Sequence, residues 1–159
     1  MKSKVTRNLR GARLEQNGCV LSEVLAHPGP THSVFDLLAA AAVVAGPGSR
    51  LAMLGFAGGG MMAPLRALDG HREVHAVDLS GEGYELYRSV TLDAGGGDLH
   101  FSQEDAAGWL RRQRGSFDAI VEDLSVPVRG DVVKPALSWD VLPALIGRKL
   151  RKRGAAVFN

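Results

Sequence analysis

Leu51–Arg66 reads LAMLGFAGGGMMAPLR. An apolar run breaks into four glycines within six residues, Gly55–Gly60, and then resumes as a segment able to form a helix. Glycine loses more backbone freedom on folding than any other residue. A cluster of this kind therefore marks backbone that must turn sharply or that something approaches closely. The apolar piece before it, Arg50–Leu54, has the length and composition of a buried strand bounded by turn signals.

The alternation continues downstream. Glu73–Val77 reads as a second strand, with Ser80 placed to cap a helix carrying Tyr84, Tyr87 and Val90. Asp98–Phe101 reads as a third strand, Glu104–Arg114 as a helix with Trp109 and Leu110 inward, and Phe117–Val121 as a fourth strand. A long loop with Pro127 and Pro135 follows, then a helix from about Trp139 to Lys152 and a fifth strand over Ala155–Phe158. Gly95-Gly96-Gly97 reads as a loop. Repeated strand–helix units predict a doubly wound α/β domain whose sheet is mostly parallel and covered on both faces. Upstream, Thr31 is placed to cap a helix with Val34, Phe35, Leu38, Ala41, Ala42 and Ala45 on one face, stopped by Gly46-Pro47-Gly48. Asn17-Gly18 between two short runs predicts a tight hairpin, and the basic segment Met1–Arg10 is expected to fray. Residues 1–30 thus form a basic arm and hairpin, and residues 31–159 the α/β domain.

The 159 residues suffice for a real hydrophobic core, and a net charge of +2 demands no polyanionic partner. Cys19 is the only cysteine, so no intrachain disulfide exists and a reducing, cytoplasmic setting is expected. The basic start leads into no apolar signal core. The longest apolar run, Leu37–Ala45, falls far short of the roughly 20 residues that cross a bilayer, so no membrane partner is expected. The run Arg148, Lys149, Arg151, Lys152 and Arg153 reads as a solvated helix end, without the aromatic stacking motif that nucleic acid would need. His27, His32, His71, His75 and His100 lack ligand-like spacing, so no metal is expected. Met53, Met61 and Met62 read as core filler.

In doubly wound folds, ligands sit beyond the carboxyl ends of the strands where strand order reverses. The glycine loop lies there and opens a helix, whose N–H groups favour an electron-rich ligand. Asp78, ending the second strand, is placed to accept hydrogen bonds from ribose hydroxyls, or else to cap the next helix. Glu104-Asp105 follows the third strand, either within reach of an adenine amino group or as first-turn acids of a helix. Asp123 ends the fourth strand in FDAIVEDLSVP, beneath a proline-containing loop able to act as a lid. A carboxylate there can hold a cation or take a proton from an attacking amine, or it can cap the loop.

Together these segments resemble the spermidine synthase-like (polyamine aminopropyltransferase) branch of the class I S-adenosylmethionine-dependent methyltransferase fold, from about Arg13 to Asn159. The hairpin and SEVLAHP resemble the segment before that family's first strand, and LGFAGGG its glycine loop. AVDLS resembles its ribose-binding strand end, SQEDAAGWL its adenine-side acidic motif, FDAIVEDLSVP its catalytic loop, and ALSWDVLPALIGRKLRKRGAAVFN its late helix and fifth strand. The resemblance implies a Rossmann-like methyltransferase sheet and S-adenosylmethionine or decarboxylated S-adenosylmethionine as co-substrate. It implies a small-molecule amine acceptor, a homodimer and no metal. By the same resemblance Gly55, Ala57, Gly58 and Gly59 meet the cofactor, Asp78 with Leu79 beside it meets the ribose, Glu104 and Asp105 lie on the adenine side, and Asp123 occupies the catalytic position. Departures accompany it. Val126 stands where a second aspartate is usual, Leu21 and Ser22 where a Tyr and a His or Gln are usual, and Ala57 in place of a middle glycine. The sequence reaches the fifth strand without the family's terminal strand pair.

Three functions follow. The first is transfer of an aminopropyl or methyl group to an amine. The second is a catalytically reduced nucleoside-binding or dimerisation module. The third is a dinucleotide oxidoreductase, since Gly55–Gly60 loosely fits G-x-A-x-x-G; the acidic loop and the upstream hairpin argue against it.

Overall fold

A computed structural model describes residues 3–91, 99–128 and 130–159. Within the basic arm, expected to fray, Lys4–Asn8 forms strand β1, antiparallel to β2 (Gly11–Gln16), which pairs in turn with β3 (Cys19–Leu25); Met1 and Lys2 lie outside the described residues. The arm is held by its polar groups. Lys4 pairs with Glu15, Arg7 donates to Ser89 Oγ, and Ser3 Oγ donates to Glu82. The β2–β3 turn is the expected one, with Asn17 and Gly18 at φ 53° and 82°. Ala12, Leu14 and Val24 point inward and join the main core.

Helix α1 (Val34–Ala45) follows. Its N-cap is Ser33, which accepts from Phe35 N–H, rather than Thr31; the Thr31 hydroxyl donates instead to Asp36. Gly46 ends the helix as expected. Next come β4 (Arg50–Leu54), α2 (Met62–Leu68), β5 (Glu73–Asp78), α3 (Glu82–Thr91), β6 (Leu99–Gln103), α4 (Ala106–Arg112) and β7 (Phe117–Glu122). The glycines 95–97 and Asp98, read above as a loop and a strand start, lie outside the described residues.

The segment after β7, expected as an unstructured loop, carries a small hairpin of β8 (Val126–Val128) and β9 (Asp131–Val133). The last helical stretch is split into α5 (Leu137–Asp140) and α6 (Leu142–Lys149), with Pro143 in the first turn of α6. Arg151, Lys152 and Arg153 belong to strand β10 (Leu150–Phe158), not to a helix end. The β7–β10 register shifts between Leu150 and Ala155, and Arg153 there takes a φ of 74°.

The strands β10, β7, β4, β5 and β6 form one sheet in that order, parallel throughout. β4 is central and the chain winds outward from it on both sides, so the switch point lies at its carboxyl end. Side chains of a strand alternate between faces, and β4 shows the consequence. Leu51 and Met53 enter one core with α1, α2, α3 and the N-terminal sheet, while Ala52 and Leu54 enter the other with α4 and α6. Each fully buried aliphatic side chain contributes roughly 1.5–3 kcal/mol. Among the described residues no helix is long and apolar enough to cross a membrane.

Candidate functional site

Three strand ends are pinned together at the switch point. Gly55 N–H donates to Val77 carbonyl and Asp123 N–H to Leu54 carbonyl. Gly55 has φ +88°, and a Cβ there would lie 2.6 Å from the Asp123 carbonyl oxygen. Only glycine satisfies both the conformation and the approach. Ala57 is itself left-handed at φ 45°, and its carbonyl rests on Gly83 of α3, where no side chain fits.

Asp78 organises this loop. Its Oδ2 accepts from Phe56 and Ala57 N–H at 2.9 and 2.7 Å, and its Oδ1 from Ser80 N–H at 3.0 Å. The N–H groups that the sequence reading aimed at a ligand are therefore turned onto Asp78. Gly58 and Gly59 are buried against the protein itself. A Cβ on Gly58 would press Ser22 and Val24, and one on Gly59 the Phe56 ring. Phe56 packs edge-on to Tyr84 and Tyr87, and Tyr84 stacks on Phe101 at 4.4 Å. Both tyrosines thus pack, and burial pushes the Tyr87 hydroxyl above its ordinary pKa.

Of the residues singled out from the sequence, Gly55, Ala57, Asp78, Leu79 and Asp123 line one cavity of about 180 Å³. Sequence reading missed its other walls: Leu14 and Gln16 from the N-terminal sheet, and Ser80, Glu82 and Gly83 at the start of α3. Glu82 carried a signal, being the next acid after Asp78, but nothing in its spacing separates it from an ordinary first-turn acid. Glu104 and Asp105 are not on this wall. Asp105 caps α4 by accepting from Gly108 N–H at 2.6 Å, and Glu104 pairs with Arg112.

Asp123 stands where this cavity meets a second one of about 310 Å³, whose walls include Val20, Val34, Phe35, Val132 and Val133. Asp123 Oδ1 accepts from Asn159 Nδ2 at 2.6 Å. Burial pushes its carboxyl above the ordinary value, and Glu122 adds to this, while the Asn159 hydrogen bond and the nearby Lys134 oppose it. Glu122 is fully buried beneath. Its carboxylate accepts from Ser138 Oγ and Lys134 Nζ, each at 2.7 Å, and from Leu124 N–H at 3.1 Å. Lys134 is thereby committed to Glu122. The walls of the 180 Å³ cavity hold three carboxylates, Asp78, Glu82 and Asp123, and no cationic side chain among the described residues.

No family model matches the chain, and no curated protein matches it. Solved structures do. A SAM-dependent methyltransferase from Agrobacterium tumefaciens aligns with 98% of this chain and 51% of its own, at 20% identity and TM-score 0.60. A probable spermidine synthase from Corynebacterium glutamicum ATCC 13032 aligns with 98% of this chain and 59% of its own, at 16% identity and TM-score 0.73. A precorrin 8W decarboxylase from Methanobacterium thermoautotrophicum aligns over 87% and 68%, at 18% identity and TM-score 0.59. The fold is that of the class I methyltransferases. The chain spans about half to three-fifths of the length of the first two proteins. In this methyltransferase fold the cavity at the end of β4 and β5 sits at the switch point, where ligands of doubly wound sheets bind.

Proposed function

We propose that the chain binds an adenosyl sulfonium compound in the 180 Å³ cavity and transfers an aminopropyl or methyl group from it to an amine held in the adjoining cavity. One observation carries this reading: Asp78, Glu82 and Asp123 share a cavity wall with no opposing cation among the described residues. A wall of this charge favours a cationic, hydroxyl-bearing ligand and repels a pyrophosphate, which argues against the dinucleotide reading. It also favours decarboxylated S-adenosylmethionine over S-adenosylmethionine, because the former lacks the carboxylate that these acids would repel.

In this scheme Asp78 and Glu82 meet the ribose hydroxyls, and the exposed Leu79 side chain offers an apolar surface to the base. Asp123 faces the amine. Its raised pKa brings it nearer to neutrality, which makes the ionised carboxylate a better proton acceptor. The sulfonium is already a good leaving group, so the protein's main contribution is alignment, which can supply about 7–11 kcal/mol of the barrier. The second cavity is lined by Val20, Val34, Val132 and Val133 and also by Lys134, a wall that suits an amine with an apolar body better than a polycation.

A second reading, a nucleoside-binding module without turnover, draws on Asn159. Its amide holds the Asp123 carboxylate that would otherwise engage the amine. Thermal shift with decarboxylated S-adenosylmethionine, S-adenosylmethionine, methylthioadenosine and NAD separates these readings from the oxidoreductase. A ligand at about 100 times its Kd adds roughly 2.7 kcal/mol. Stabilisation by the adenosyl compounds with NAD inert is expected; stabilisation by NAD alone refutes the proposal. Product formation with an amine panel, abolished in Asp123→Asn while the shift persists, distinguishes the transferase from the binding module.

A further inference from the structure

The opposite end of the sheet brings together residues that the sequence keeps apart. In the parallel register of β5 and β6, His75 lies beside His100, and Glu73 precedes His75 by two residues on the same face. The two imidazoles stack with centroids 4.8 Å apart and planes 26° from parallel. One donor atom from each of Glu73, His75 and His100 lies within 4.8 Å of the others. We propose that Glu73, His75 and His100 bind a borderline divalent metal ion, Zn²⁺ first among them, clasping the edge strand β6 to β5.

The donor set suits such an ion. Two imidazoles and a carboxylate match the preferences of Zn²⁺, Ni²⁺ and Cu²⁺, with further coordination positions left for water. Zn²⁺ holds nitrogen and oxygen at roughly 2.0–2.2 Å, so tetrahedral donors stand roughly 3.3–3.6 Å apart. Closing from 4.8 Å needs a shift of about an ångström. His100, exposed on the edge strand, can make it by side-chain rotation. His75 is the fixed member, its ring against Phe117, which is stacked in turn on Trp109. His75 Nε2 already lies 2.6 Å from Glu73 Oε1, so two of the three donors are held side by side before a metal ion enters.

Arg50 is the competitor. Its Nη2 lies 3.3 Å from His75 Nε2 and its Nε 3.5 Å from Glu73. It also donates to the Ser116 carbonyl and lies over the Phe117 ring at 5.0 Å. Those contacts hold the guanidinium when a metal ion takes over Glu73 and His75.

The test is calorimetric titration of the untagged chain with ZnCl₂, supported by Co²⁺ visible absorption. One equivalent is expected, with Glu73→Gln and His100→Gln each weakening Zn²⁺ by about tenfold or more. Arg50→Gln is expected to tighten it. The proposal falls if the chain fails to bind Zn²⁺ at about 1 mM, if neither ligand substitution moves the affinity, or if Arg50→Gln weakens it. Nucleoside-induced thermal shift should be unchanged in all three variants, so failure here is separate from failure at the cavity.

Discussion

The two ends of the same sheet handle charge in opposite ways. At the amino end of the strands, acids meet cations. Asp118 accepts from Arg151 at 3.0 Å and from Arg50 N–H, Asp69 from the buried Arg72 at 2.8 Å, and Glu73 lies between His75 and Arg50. At the carboxyl end the acids that face the cavity are held by neutral donors: backbone N–H groups for Asp78 and the Asn159 amide for Asp123. Lys134, close by, is drawn down to Glu122. Neutral donors fix a carboxylate in place without cancelling its charge. Among the described residues the amino end is thereby neutralised internally, while the cavity acids at the carboxyl end keep neutral partners.

The comparison can be broken in several places. Glu122→Ala leaves Lys134 and Ser138 without their acceptor, and a loss of roughly 3 kcal/mol is expected in denaturant unfolding, the low end for a broken buried pair because Lys134 keeps some exposure. A change as small as that of a surface pair would show that Glu122 does not anchor the carboxyl end. Asp78→Ala orphans three N–H groups and should cost roughly 2–3 kcal/mol. It should also abolish the shift given by decarboxylated S-adenosylmethionine; a retained shift would place the ribose elsewhere. Arg151→Ala removes a half-exposed partner of Asp118, which keeps Arg50 N–H, so about 1 kcal/mol is expected, shrinking in high salt.

Asp123→Asn should act in the other direction. Folding raises the Asp123 pKa above its ordinary 3.8 and so disfavours the ionised form. The stability it contributes is full below pH 3.8, falls as pH climbs through the folded pKa and stays reduced above it. The asparagine variant should therefore melt higher than the parent at pH 7, with the gap closing in acid; a lower melting temperature at pH 7 would show the carboxylate to be stabilising. Arg112→Ala, at the exposed Glu104 pair, should change stability by less than about 0.5 kcal/mol.

Much of the fold was legible because its signals are local. Strand β4 and the Asn17-Gly18 turn fell where the residues placed them, and β5 and β7 within a residue. Errors arose where a segment's state depends on a distant partner. The arm became β1 because β2 and α3 supply partners for Lys4 and Arg7. Leu150–Phe158 became strand because β7 pairs with it on either side of a register break at residues 151–154, where Arg151 finds its counter-charge in Asp118. The glycine loop is a close approach, as its composition suggests, but the approaching groups at Gly58, Gly59 and Gly60 are the protein's own.

The sequence alone determined the strand–helix alternation, and with it the wound parallel sheet, because periodicity and glycine–proline punctuation are written residue by residue. It also placed Gly55, Ala57, Asp78, Leu79 and Asp123 at strand ends, the one place where such a sheet opens. Tertiary structure alone decided which carboxylates meet a cation among the described residues. It sent Lys134 to Glu122 and Arg151 to Asp118, and it set His75 beside His100 across two strands. Those outcomes depend on which side chains come within a few ångströms, and that distance is fixed by strand register rather than by spacing along the chain.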